Sequence, residues 1–285
     1  MISLREAIAW RAHAPWADDQ MVEQDYLISR AVERIFSHPK LRRQLAMRGG
    51  TVLHKGHLAP AARYSEDIDL VLVEPRRTHR GIRQDLAAAL APLMGQPTES
   101  VITSVALFVR NLAVKSTIAR LTYVYDPLAA NRALASLKVE VNLNETTPLY
   151  PLTTVTIATP VPEGGTREVE VVSYDINEML GTKLRALFQR EHGRDLFDLW
   201  HAWRLTQNGQ ARHAVDPERV GRAFRHYLQQ EGSTAFTAAD AAAELDRRLN
   251  SRRFLNDMVG YLPAGQQYDP VQAGEDFRRV FLPHL

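Results

Sequence analysis

The segment Leu137 to Asn144, "LKVEVNLN", alternates apolar and polar side chains without a break. Leu137, Val139, Val141 and Leu143 fall on one side of an extended chain, and Lys138, Glu140, Asn142 and Asn144 on the other. A period of two over eight residues demands a strand with one buried face and one wet face. The wet face carries a lysine and a glutamate, so ionisable groups stand on a sheet where solvent or a ligand can reach them.

Other segments fill in the elements around this strand. "LAMRGG", "DIDLVLV", "SVALFVR", "STIARLTYVY" and "REVEVVS" read as further strands. Residues 19–36 place Val22, Tyr26, Ile28, Val32, Ile35 and Phe36 at helical spacing, "GIRQDLAAALAPLM" reads as a helix, and "TVLHKGHL" as a short one. From Asp175 on the chain reads as helices, at roughly 175–192, 195–207, 216–230, 236–248, 251–261 and 271–282. The stretch "TPVPEGGT" has the proline and glycine punctuation of a connection. The expectation is an α+β fold with two lobes: an α/β lobe over 1–165, and a mainly helical lobe over 166–285 that completes a cleft.

Composition removes several classes. The 285 residues are 45% hydrophobic and 24% charged, with no low-complexity tract. No run of about 18 apolar residues is present, and the opening "MISLREAIAWRAHAPW" lacks the apolar core of a signal peptide, so the expectation is a cytoplasmic chain without a membrane partner. Cysteine is absent, which excludes disulfides and thiolate metal sites. The formal net charge of +2 makes no global claim on nucleic acid. The cations are 30 arginines and only 5 lysines, so each lysine stands out.

Four features can carry chemistry. In "RYSEDIDL", Asp67 and Asp69 lie two apart, and in a strand their carboxylates share a face. Two close carboxylates repel unless one takes a proton or a cation joins them; the pair is either a solvated strand end or a seat for Mg²⁺, which prefers hard oxygen ligands. Upstream, "RGGTVLHKG" offers Gly49, Gly50 and Thr51 at a strand-to-helix turn where a phosphate could dock. Glu140 could add a third carboxylate for a two-metal cluster, or simply pair on the surface with Lys138. Downstream, "SYDINEML" gives Asp175 and Glu178 capping-box spacing. At about 100° per residue, Ile176, Met179, Leu180, Leu184 and Leu187 form an apolar arc with Lys183 at its centre and Arg190 on the same side. A lysine there either snorkels to solvent or meets an anion, and triphosphate suits an ammonium. Asp195, in "GRDLFDLW", either caps its helix, orients Lys183 or acts as a general base, with Asp198 one turn on.

Taken in order, "RGGTVLHKG", "RYSEDIDLVL", "KVEVN" and "GTKLRALFQREHGRDLFDLWHAW" resemble the AbiEii/AbiGii-type nucleotidyltransferase toxins over roughly residues 20–205. These are the toxin halves of type IV toxin–antitoxin and phage-defence loci, within the polymerase-β-like nucleotidyltransferase superfamily. The resemblance implies a mixed sheet flanked by helices, then a helical bundle. It implies that Gly49, Gly50 and Thr51 form the nucleotide-phosphate turn, with Ser65 beside the metal site. Asp67 and Asp69 would hold Mg²⁺, Lys183 would contact the triphosphate with Arg190 nearby, and Asp195 would be the essential acid of the second lobe. Glu140 matches the third acid in type and strand context, although Glu is one carbon longer than the usual Asp.

The implied reaction is transfer of nucleotides from an NTP to RNA, most readily to the 3′ acceptor end of tRNA, with two Mg²⁺ ions, a cognate antitoxin and a monomeric enzyme. Candidate tRNA-binding cations are Arg76, Arg77, Arg80 and Arg83; Arg219 and Arg222; and Arg247, Arg248, Arg252 and Arg253. Alternatives are a small-molecule or protein-hydroxyl acceptor, a nuclease, and a catalytically dead binding protein.

Overall fold

The computed structural model describes residues 3–74, 78–109, 112–128, 133–162, 164–230 and 236–285. α1 (Leu4–Trp10) is capped by Ser3 and Glu6 in a reciprocal box, and Trp10 ties it down by donating to Asp25 at 2.7 Å. α2 (Asp19–Ser37) begins where the Asp18 carboxylate accepts from the Gln20 N–H at 2.7 Å. It stops at His38, which is extended ahead of Pro39 as a pre-proline residue should be. α3 (Leu41–Gln44), β1 (Leu45–Arg48) and α4 (Gly49–Val52) follow, α4 running on as a π turn to His57.

β2 (Ile68–Leu72) opens just after Asp67, and α5 (His79–Met94) lies between it and the long antiparallel pair β3 (Glu99–Val109) and β4 (Leu112–Tyr125). β5 (Ala135–Asn142), β6 (Thr153–Pro160) and β7 (Thr166–Ser173) complete a seven-stranded mixed sheet in the order β3-β4-β5-β2-β1-β7-β6. The helices after it are α6 (Ile176–Gln189), α7 (Gly193–Gln207), α8 (Pro217–Gln230), α9 (Ala238–Leu249), α10 (Arg252–Leu255) and α11 (Pro270–Val280).

The alternating segment behaves as its pattern requires. Leu137, Val139 and Val141 are fully buried, while Lys138 and Glu140 are half-exposed. The alternation ends at Asn142, which is buried because its Oδ1 accepts from the N–H groups of Asn144 and Glu145, both at 2.9 Å, turning the chain out of the sheet.

Register is what builds the site. β2 pairs antiparallel with β1 and parallel with β5, so Asp69 lies beside both Arg48 and Glu140 in the centre of the sheet. A single cluster of buried apolar side chains runs from Leu27 to Phe281, so sheet and helices share one core.

Two element expectations are redrawn, while the lobes 1–165 and 166–285 stay a proposal; strand runs to Ser173 and helix starts at Ile176. β6 was not among the expected strands. The expected helix 251–261 shrinks to α10, because Gly260 has φ +87° and the chain turns so that the Tyr261 carbonyl accepts from the Tyr64 N–H at 2.8 Å.

The α6–α8 contact depends on the absence of a side chain at Gly181, where a Cβ would lie 2.6 Å from the Ala223 Cβ and 3.0 Å from the Phe224 nitrogen. Gly181→Ala should therefore lower unfolding stability by about 1–3 kcal/mol despite alanine's better helix propensity, measured by urea denaturation.

Candidate active site

Two carboxylates stand at the edge of one cavity of about 130 Å³, with Gly50, Ser65 and Glu140 also in its wall. Asp69 projects from β2 against the turn before α4. Gly49 has φ +83°, and a Cβ there would fall 2.0 Å from Asp69 Oδ2, so only glycine lets the carboxylate lie on this backbone. Asp67 is half-buried. Burial pushes its carboxyl up, to about 7, with Asp69, Glu140 and Glu66 adding to the rise and Lys138 opposing it. This is the cost of gathering acidic groups, and a divalent cation would remove it. The donors are hard oxygens, which fit Mg²⁺ with its remaining ligands supplied by water and phosphate. Glu140 is in register with Asp69, yet its carboxylate accepts from Arg120 Nε at 2.6 Å. Glu140 lines the same cavity as Asp67 and Asp69.

The same cavity is also lined by Lys183, Arg190, Arg63 and Arg194. Lys183 leaves α6 in the middle of its apolar arc and reaches the junction with α7. Its Nζ lies 3.3 Å from Asp195 Oδ1 and 3.0 Å from Asp198 Oδ2. Arg190 forks onto Asp195 at 2.8 and 3.0 Å, and Arg63 forks onto Asp198 at 2.6 and 2.7 Å. Both aspartates are fully buried. Burial alone would raise them, but Arg190 and Lys183 hold Asp195 at about 2, and Arg63, Lys183 and His54 hold Asp198 well below the usual carboxylate range. His54, lowered to about 4 by burial and then by Arg63, is neutral and donates from Nε2 to Asp198 Oδ1 at 2.8 Å. Three cations against two carboxylates leave one net positive charge in this network.

A family profile described as "Nucleotidyl transferase AbiEii toxin, Type IV TA system" matches residues 30–281. The chain belongs to the AbiEii nucleotidyltransferase toxin family. It is thus a nucleotidyltransferase toxin of a type IV toxin–antitoxin system, a class that uses an NTP and is paired with an antitoxin. Seven chains of known structure match it. One is MenT4, a nucleotidyltransferase toxin from Mycobacterium tuberculosis, with a TM-score of 0.54 and 16% identity over 99% of this chain and 91% of that one; the likeness shows a shared fold. No match to a curated protein sequence reaches significance. No helix among the described residues is long and apolar enough to cross a membrane.

The AbiEii-type elements gather most of the expected residues into one place. Gly50, Ser65, Asp67, Asp69, Glu140, Lys183 and Arg190 all line the same cavity. Thr51 does not reach it. Its hydroxyl is fully buried, donates to the Asp67 carbonyl at 2.6 Å and lies 3.0 Å from the Ser65 hydroxyl, so it fixes the carboxylate-bearing loop from behind. Asp195 does not cap α7; its carboxylate, held low by Arg190 and Lys183, accepts from both, a geometry that orients Lys183. Nor does Glu178 close a capping box. It is fully buried and accepts from the Leu149 and Tyr150 N–H groups at 2.7 and 2.9 Å and from the Tyr227 hydroxyl at 2.6 Å.

Arg63 and His54 were not singled out from the sequence. Arg63 opens "RYSEDIDL" but is one arginine among 30, and only its 3% exposure and its fork onto Asp198 mark it. The expected RNA-binding arginines divide on inspection. Arg76 and Arg77 lie outside the described residues. Arg248 is 1% exposed and donates to the carbonyls of Phe188 and Arg190 as a structural strut. Arg219 stacks on Tyr150 and pairs with Asp175, and Arg83 donates to Ser100. Arg80, Arg222, Arg252 and Arg253 remain exposed.

Removal of one member of the buried network should be costly. Asp198→Ala leaves Arg63 buried and unpaired, and should destabilise the fold by about 3–5 kcal/mol in urea denaturation. The acidic pair predicts the opposite. The Asp67 pKa is raised on folding, so its penalty is absent below the ordinary value near 3.8 and grows as pH rises through about 7. In buffer with a metal chelator, Asp67→Asn should melt above wild type at pH 8, and the gap should close by pH 4.

Proposed function

We propose that this toxin transfers a nucleotide from an NTP to a hydroxyl of RNA, most readily the 3′ acceptor end of tRNA, with Mg²⁺ held by Asp67 and Asp69. The observation that supports this reading is one cavity lined both by the acidic pair and by the cations Lys183, Arg190, Arg63 and Arg194. A hydrolytic nuclease needs no such cationic lining for a leaving pyrophosphate.

The cationic lining continues into an adjoining cleft of about 230 Å³, where Arg48 and Arg185 join Lys183 and Arg190. Arg48 and Arg185 both engage Glu145, whose carboxyl is raised by burial but held at about 2 by the two guanidinium groups. The β- and γ-phosphates lie over this surface, with Lys183 as the compact charge and Arg190 as the planar fork. Gly49 and Gly50 present backbone rather than side chain, which admits a phosphate close to Asp69. Asp195 and Asp198 hold the Lys183 ammonium in place, so its position is set before substrate arrives. Bound magnesium supplies charge neutralisation at the reacting phosphoryl oxygens. The acceptor oxygen bonds to the α-phosphorus, the α–β bridging P–O bond breaks, pyrophosphate leaves over Lys183, and the hydroxyl proton is lost to water. The expected setting is the cytoplasm, with the enzyme acting as a monomer until its antitoxin neutralises it.

The test is incubation with NTPs labelled at the α-phosphate together with tRNA, protein and Mg²⁺. Label should enter the RNA 3′ end, and label confined to protein would refute the acceptor assignment. Asp69→Asn should lower transfer at least about 100-fold. Lys183→Met leaves Asp195 to Arg190 and Asp198 to Arg63, so it should fold yet raise the NTP KM and lose about 10²–10³ in kcat/KM.

A further inference from the structure

Asp67 and Glu66 have a second cavity on their other side. It measures about 340 Å³, the size of a small-ligand pocket, and lies between the start of α2 and β5. The two hollows share these acidic residues in their lining, so they adjoin at Asp67. We infer that this second cavity, walled by Met21, Gln24, Tyr64, Asp67, Leu134 and Lys138, takes the 3′-terminal nucleotide of the RNA acceptor, with Lys138 contacting its backbone phosphate. This rests on the nucleotide-transfer reading above and extends it by naming the acceptor's seat.

The argument starts from in-line displacement. The entering oxygen and the leaving pyrophosphate stand on opposite sides of the α-phosphorus. The leaving side is the Lys183 and Arg190 wall, so the acceptor must arrive past Asp67, and this cavity opens there.

Its chemistry suits a single-stranded nucleotide end. Lys138 is next to Glu140 on the wet face of β5, two positions along, and forms no ion pair among the described residues. The lysines at 55 and 183 are, by contrast, each held by carboxylates. A lysine beside an acidic pair, with its charge uncommitted, matches a phosphate brought close to those carboxylates. Leu134 is 64% exposed and Met21 half-buried, giving apolar surface for a base without demanding which base it is.

The frame is rigid. Gln24 Nε2 donates to the Glu66 carbonyl at 2.9 Å and to the Ser136 carbonyl at 3.3 Å, tying the loop to the strand. The Tyr64 ring is buried between Trp16 and Tyr261, at centroid distances of 5.8 and 6.0 Å.

The experiment measures transfer from labelled NTPs to a tRNA acceptor-stem hairpin with a single-stranded 3′ end, over a range of salt, for wild type, Lys138→Gln and Leu134→Ser. Both positions are solvent-accessible, and thermal melting confirms that each variant folds. Lys138→Gln should raise the acceptor KM about 3–10-fold, leave the NTP KM unchanged, and reduce the log–log salt slope of acceptor KM by about 0.7, the loss of one single-strand phosphate contact. Leu134→Ser should raise the acceptor KM with no change in salt slope. If wild type labels RNA but Lys138→Gln shifts the NTP KM, or neither constant, the acceptor seat is wrong while the transfer reading survives. If wild type labels only protein, both fall.

Discussion

The buried carboxylates of Asp195 and Asp198, shared among Lys183 at 3.3 and 3.0 Å, Arg190 and Arg63, form the interaction on which the rest of this molecule depends. A cation in the middle of an apolar helix face would be ruinous alone. Two buried carboxylates make it tolerable, but two carboxylates against one lysine would leave excess negative charge. Arg190 and Arg63 reverse that excess, and each comes from a different part of the chain. Arg63 precedes the β2 strand, Lys183 and Arg190 belong to α6 and its end, and the aspartates to α7. The network therefore welds sheet to helices through charge at the point where the cleft forms.

That arrangement also separates structural charge from functional charge. Asp195 and Asp198 are driven to remain ionised and fully engaged, whereas Asp67 is driven toward protonation by its acidic neighbours. Carboxylates thus meet opposite fates according to the cations within reach, even though the two held ionised are the more deeply buried. Those with guanidinium partners serve as scaffolding. Asp67 has no such guanidinium fork among the described residues, and in the function proposed above a divalent cation would take that place.

Much of the fold was legible because periodicity reports burial directly. The alternation around Leu137–Val141, the apolar spacing of Asp19–Phe36 and the arc of α6 all survive in three dimensions. Local pattern fell short where pairing decides the element. β6, not expected as a strand, joins the sheet by pairing with β7. The stretch after α10 abandons helix to give its Tyr261 carbonyl to Tyr64. Glu178 looks like a cap partner from its spacing, and becomes a buried acceptor because two distant N–H groups and a tyrosine converge on it.

The sequence by itself determined which residues could do chemistry: an acidic pair two apart on a strand, a lysine in an apolar arc, and a glycine pair before a helix. These are local patterns, fixed by the geometry of strands and helices. Only the tertiary structure decided their partners. It set Asp69 beside Glu140 but gave Glu140 to Arg120, sent Thr51 behind the site, and made Asp195 a holder of Lys183. It also chose Arg63 and His54 from a crowd of equals. Partnership of charges is a property of distance and burial, and in a folded chain both are set by residues from neighbouring elements, as for Lys183 and Asp195, to distant ones, as for Arg63 and Asp198.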